Sequence, residues 1–161
     1  MLAGAGATAA AALTGCSAAI PGFGGGADGQ FTLQTLEVAG SNGETIPHRP
    51  AGEPALIDFF ASWCPPCRPQ MAELRAVDDQ FPELHMVSIS WEDNADAIRQ
   101  FWREFDGTWP VAQDTELEVA EAYGVTGLPT KVLLDADGES SWEHTGLAEA
   151  EAIAEEVSAV L

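Results

Sequence analysis

The 161-residue sequence predicts an α/β protein, a three-layer sandwich with a mixed central sheet between helices. Three observations predict it. Apolar strand-like runs alternate with amphipathic helical stretches, a turn-linked pair of strands comes late in the chain, and one more amphipathic stretch follows. A chain of this length that is 46% apolar fills one core rather than two.

Phe31 to Val38 reads as a first strand, followed by a turn at Ser41-Asn42-Gly43 and an extended piece near Ile46. Ala55 to Ala61 is an apolar run suited to a strand covered on both faces, interrupted by Asp58. Cys67, Met71, Leu74, Val77 and Phe81 recur at spacings of three and four, which places them on one helical face that ends at Pro82. His85 to Ser90 is a second core strand. Ala95, Ile98, Phe101 and Phe105 mark another helix, with Asp93 or Asn94 as its cap. A short helix is expected over Glu116 to Tyr123. Lys131 to Leu134 is strand-like, Asp135-Ala136-Asp137-Gly138 makes a tight turn, and Ser140 to Thr145 returns as a hairpin. The closing helix presents Leu147, Ala150, Ile153, Val157 and Val160.

The start of the chain has a different character. Residues 1–15 carry no charge and end in Leu13-Thr14-Gly15-Cys16, which resembles the end of a lipoprotein signal segment. The apolar run is shorter than the roughly 20 residues a membrane-spanning helix needs. The resemblance implies lipid on Cys16, anchoring the protein to the outer face of the cell membrane. No basic residue precedes the run, so the segment reads as an incomplete signal with its start placed too late. Residues 16–30 form a Gly/Ala-rich spacer, and 31–161 the folded domain.

Acidic residues outnumber basic ones 26 to 6, for a net charge of −20. Nucleic acid is excluded as a partner, since phosphate binding requires clustered Lys and Arg. The acids are spread along the chain and Lys131 is its single lysine, a composition that resembles proteins of extreme halophiles, where salt screens self-repulsion. With the signal-like start, this gives the profile of a haloarchaeal lipoprotein.

Trp63-Cys64-Pro65-Pro66-Cys67 falls where a buried strand passes into a helix. Two intervening residues let the sulfurs meet across one turn. Cys64 at the helix start is favoured as a thiolate by free backbone N–H groups and the positive end of the dipole, so it is the attacking sulfur. Cys67, one turn further on the apolar face, is the shielded resolving sulfur. Pro65 and Pro66 occupy first-turn positions that lack a helical partner, whereas Pro69 falls just beyond them and predicts a slight kink or a loose first turn. A zinc site would need two further ligands, but Cys16 lies in the tail and His48, His85 and His144 are scattered, each reading as a surface residue. No metal and no cofactor are expected. Glu92-Asp93 and Glu149-Glu151 read as solvated helix starts.

Phe59-Phe60-Ala61-Ser62-Trp63-Cys64-Pro65-Pro66-Cys67 resembles the active-site signature of thioredoxin-like proteins, and Val125-Thr126-Gly127-Leu128-Pro129-Thr130 resembles their second signature. The long separation of the two, with room for an extra helix and strand, is similar to the extracytoplasmic TlpA/ResA-like branch. The resemblance implies the thioredoxin fold with an N-terminal strand extension. It implies a cis Pro129 against the cysteine pair, with an extended substrate segment pairing along the backbone beside it; Trp63, Pro65, Pro66, Gly127, Leu128 and Pro129 are the candidate substrate surface, with simple packing beside a core strand the alternative for Trp63. It also implies disulfide-bonded or dithiol proteins as partners, reduction of exported proteins such as apocytochrome c, and a membrane electron donor. Two departures stand out. Gln70 occupies a position where that branch often carries glutamate, and Asp58 matches the buried aspartate of thioredoxin itself. Burial should raise the Asp58 pKa toward the range of a thiol, so Asp58 is expected to move the proton of Cys67. The rival chemistries are a thiol peroxidase, whose local cysteine pattern is missing, and a copper metallochaperone, which wants cysteines three residues apart and a nearby histidine.

Overall fold

The computed structural model describes residues 30–161. The expected signal segment 1–15, Cys16 and all but the last residue of the spacer 16–30 lie outside the described residues.

Among the described residues nine strands and four helices follow in the order β1 (Thr32–Thr35), β2 (Glu37–Val38), β3 (Ser41–Asn42), β4 (Thr45–Pro47), β5 (Ala55–Phe59), α1 (Cys67–Gln80), β6 (His85–Ser90), α2 (Ala95–Glu104), β7 (Val111–Gln113), α3 (Glu118–Ala122), β8 (Thr130–Leu134), β9 (Ser140–Thr145) and α4 (Ala150–Val160). Seven strands form one sheet in the order β4-β1-β7-β6-β5-β8-β9. The centre β7-β6-β5 is parallel, and β8, β9, β1 and β4 run antiparallel to their neighbours, so the sheet is mixed. This is the thioredoxin fold, with α2 and β7 as the extra helix and strand and a cis peptide at Leu128–Pro129.

Strand periodicity explains the layers. Side chains alternate across a sheet, and Leu56 of β5 packs with Met71, Leu74, Val77, Ile98, Phe101, Ile153 and Val157 from α1, α2 and α4. Ile57 and Phe59 point the other way, toward Val119 and Ala120 of α3. Asp58 therefore shares the face of Leu56 and Phe60, the face that also carries Cys64 and Cys67. All five β5 residues are buried, as a strand covered on both faces requires.

Several expectations need correction. The first strand breaks after Thr35, because β2 leaves the main sheet to pair with β3. The third helix is shorter than expected. Leu147 is not on the helix face: α4 begins at Ala150, and Leu147 is 49% exposed in the preceding loop. Pro69 does not fall beyond the free first-turn positions. The helix starts at Cys67, so Pro69 is its third residue, where no intrahelical N–H bond exists to lose. His48 is wholly buried rather than at the surface. Its Nδ1 accepts the Phe31 N–H at 2.9 Å, which leaves Nε2–H to donate to the Tyr123 hydroxyl at 2.9 Å. Burial pushes its pKa down to about 4. Asn94 is the cap of α2, accepting from Ala97 N at 3.1 Å.

Candidate functional site

The chain leaves β5 at Phe59 and reaches α1 through a turn closed by Cys64 N donating to Ala61 O at 3.1 Å. Cys64 and Cys67 are joined by a disulfide, with Cα atoms 5.4 Å apart. The N–H groups of Cys67 and Arg68 donate to Cys64 O and Pro65 O. Pro65, Pro66 and Pro69 have no N–H. The start of α1 thus offers Cys64 fewer free donors than the sequence implied, and the helix dipole is left as the main local stabiliser of a thiolate there.

Both cysteines are 2% exposed, so burial does not tell them apart. Position does. Cys64 lines a groove of about 310 Å³ beside Trp63, Trp91, Gly127 and Leu128, and Cys67 does not. Pro65, Pro66, Val125 and Thr126 complete a lining without a charged side chain. Trp63 is 62% exposed, so simple packing does not account for it. Pro129 is buried at the head of β8 outside the lining, and its carbonyl accepts from Gly146 N at 2.8 Å. A Cβ on Gly127 would stand 3.2 Å from Thr145 Cγ2, which leaves that position little room for a side chain.

On the face of the sheet that strand alternation shares with the pair, Asp58 is 3% exposed. Ser88 Oγ donates to its Oδ2 at 2.9 Å, and Trp109 Nε1 donates to Ser88 Oγ at 2.9 Å. Oδ1 is buried with no partner. Burial raises the Asp58 pKa to about 6, against the opposing pull of Lys131 and the Ser88 bond. Lys131 sits opposite Asp58 in the β5–β8 register and is fully buried. Its Nζ donates to Gln70 Oε1 at 3.0 Å and to the Gly146 carbonyl. Burial lowers the Lys131 pKa to about 8, with Asp58 pulling it back up. Gln70 also grips Ala148, accepting from its N at 2.8 Å and donating to its O at 3.0 Å. The residue found where an acid was anticipated is a bracket between α1 and the β9–α4 loop.

Sequence reasoning missed Lys131, Ser88 and Glu92 as neighbours of this site. Glu92 is no solvated helix start: Ser62 N and Ser62 Oγ donate to its carboxylate at 2.7 Å each, and Ser90 Oγ at 3.0 Å. The signals available were a lone lysine in an apolar strand and an acid two residues after the end of a core strand. Glu149 carries no cap bond; Glu73 of α1 instead accepts from Ala150 N at 2.8 Å at the start of α4. Among the described residues no three His, Cys, Asp or Glu side chains gather as metal ligands.

Comparison with known proteins places these features in context. Residues 29–159 match the family model described as Redoxin. Over 97 residues the chain is 29% identical to the thiol-disulfide oxidoreductase ResA of Bacillus thuringiensis subsp. konkukian, covering 59% of this chain and 56% of that protein. The chain thus spans little more than half the length of this curated relative. It is 27% identical over 130 residues to the sporulation thiol-disulfide oxidoreductase A of Bacillus subtilis, covering 78% and 76%. A crystal structure of a secreted Mycobacterium tuberculosis disulfide oxidoreductase superimposes with a TM-score of 0.70 at 25% identity, covering 81% of this chain and 96% of that one.

Proposed function

The chain belongs to the Redoxin family, and from that premise we propose that it is a thiol-disulfide oxidoreductase acting as a reductant of exported proteins through Cys64 and Cys67. The observation that carries the reading is a Cys64–Cys67 bridge whose first sulfur-bearing residue lines an uncharged groove while the second does not.

In the reduced protein the Cys64 thiolate attacks one sulfur of a substrate disulfide. The substrate S–S bond breaks, a Cys64–substrate bond forms, and the departing thiolate takes up a proton. Cys67 then loses its proton to the Asp58 carboxylate and attacks the Cys64 sulfur. The bridge closes, and the second substrate sulfur leaves with the electron pair and is protonated. Two electrons and two protons have passed to the substrate. Asp58 suits the middle step because its pKa of about 6 leaves it largely ionised at pH 7 yet close enough to a thiol to exchange a proton. Trp63, Pro65, Pro66, Gly127, Leu128 and the backbone beside Pro129 form the surface on which an extended substrate segment docks, and with Cys64 only 2% exposed that docking brings the substrate disulfide into the groove.

Export and a lipid on Cys16 complete the proposal, supported by the signal-like residues before it and by a similar structure described as secreted. Turnover then needs an electron donor at the membrane. The composition suits a salt-rich environment.

The test is reduction of a disulfide-bonded protein such as insulin by the dithiol form of the full chain. Cys64→Ser should abolish it, and Cys67→Ser should accumulate a mixed disulfide through Cys64. Loss of activity with neither substitution removes the proposal.

A further inference from the structure

Glu92 lies on the segment that joins β6 to α2, the first part of the helix-strand insertion. Two carboxylate bonds of 2.7 Å tie it to the backbone N–H and hydroxyl of Ser62, which stands two residues before Cys64. Ser90 Oγ donates to the same carboxylate, and Gln113 Nε2 of β7 donates to Glu92 O at 2.7 Å, so both ends of the insertion hold the acid in place. Trp91, its neighbour, forms part of the groove wall. One short segment therefore supplies a wall of the groove and pins the turn that carries the attacking sulfur.

We propose that Glu92 is a positioning residue for the dithiol: it holds the Ser62–Cys64 turn, and its fixed negative charge disfavours the Cys64 thiolate, making the couple a stronger reductant. The inference deepens the reductant reading above and rests on it. A carboxylate anchored to the second residue before the sulfur opposes a second negative charge nearby. The usual counterweight, free N–H donors at the helix start, is reduced here by three prolines and two occupied N–H groups. The groove contributes no charge. The other charged groups bordering Ser62 are Arg68 of α1 and Glu104 of α2, which share a shallow depression with it, while Asp93 follows Glu92 in the chain. Arg68 opposes Glu92 and Glu104 adds to it. Asp58 and Lys131 face each other across β5 and β8 and pair in opposite charge. A thiolate that is harder to form destabilises the reduced protein wherever that thiolate would be populated, and a destabilised dithiol gives its electrons away more readily.

Glu92→Gln separates charge from geometry. The amide oxygen still accepts from Ser62 N, and the amide nitrogen can donate to Ser62 Oγ, since a hydroxyl serves as either partner. The full chain is first shown to reduce insulin; failure there sinks the reductant reading itself. With that activity in hand, E92Q should lower the midpoint pH of Cys64 alkylation by about one unit at low salt, tenfold in thiolate fraction, and less at high salt. The potential of the Cys64–Cys67 couple should rise at pH values above that midpoint. Glu92→Asp should return the midpoint toward the wild-type value. An E92Q midpoint equal to wild type, or an E92D midpoint as displaced as that of E92Q, overturns the inference. If E92Q does not fold, the wild-type Glu92 carboxyl resonance should show an inflection at the Cys64 midpoint that Cys64→Ser removes, and its absence overturns the inference equally.

Discussion

Asp58 and His48 are both buried ionisable side chains held by strands of the same sheet or the loop beside it, and burial displaces the pKa of each toward its neutral form. They differ in completion. Both ring nitrogens of His48 have partners, Phe31 N–H and the Tyr123 hydroxyl, and its ring packs edge-on to Phe31. Asp58 has one bonded oxygen and one orphan, with a buried lysine across the strand. A group whose bonding is complete in one protonation state ties the fold together. A group left half-satisfied, with a pKa near the working pH, has capacity to take up a proton.

The largest test of that contrast is stability against pH. Asp58 is protonated more readily in the folded chain than in the unfolded one, so its contribution is greatest below pH 3.8 and is lost as pH rises through about 6. His48 is harder to protonate when folded, so its contribution is present above pH 6.5 and is lost as pH falls through about 4. Each displacement is worth about 3 kcal/mol, and over the shared window the two slopes oppose one another. His85, whose pKa burial also lowers, adds to the His48 side. Denaturant titrations should therefore show wild-type stability varying little between about pH 4 and 6 on account of this pair. Asp58→Asn should unmask a steep loss toward acid, and His48→Gln should unmask a fall in stability as pH rises. Parallel curves for all three proteins would mean that the two groups do not differ in the way described.

Next in size is the effect of Lys131 on Asp58. The ammonium lowers the carboxyl pKa that burial raises. Lys131→Met, of similar length and apolar, should move the acidic limb of the exchange rate upward by about one pH unit, which is about fivefold at pH 6 and approaches tenfold below it. His48→Gln should leave that limb in place. An unmoved limb in Lys131→Met, with insulin reduction otherwise intact, would detach Lys131 from the proton step.

How far the site was legible follows from the range of its contacts. The cysteine pair, the helix that follows it and the final hairpin are encoded locally, in residues that touch within a few positions, and periodicity finds them. Asp58 was legible because an acid in an apolar strand is a local anomaly. Glu92 was not: its bond to Ser62 spans 30 residues and exists because β6 lies next to β5 in the sheet. Gln70 grips Ala148 across 78 residues, and His48 meets Tyr123 across 75. No spacing rule reaches that far. The Pro69 and Leu147 misplacements have a simpler cause, since helix ends shift by a few residues and carry a proline or leucine from one environment to another.

The smallest expected effect probes the bonded side of Asp58. Trp109 donates to Ser88, and Ser88 donates to Asp58, so the hydroxyl is polarised as a donor by the indole behind it. Trp109 is itself packed edge-on against Trp102 within the core. Trp109→Phe keeps much of that aromatic packing and removes the N–H, which weakens the Ser88 bond that favours the carboxylate. The Asp58 carboxyl carbon should then titrate higher by about half a unit or less in NMR. Ser88→Ala removes the bond outright and should displace the midpoint further in the same direction. A downward displacement in either variant would show that Ser88 favours the protonated acid instead, and the bond to Oδ2 would then not be what holds Asp58 toward the carboxylate.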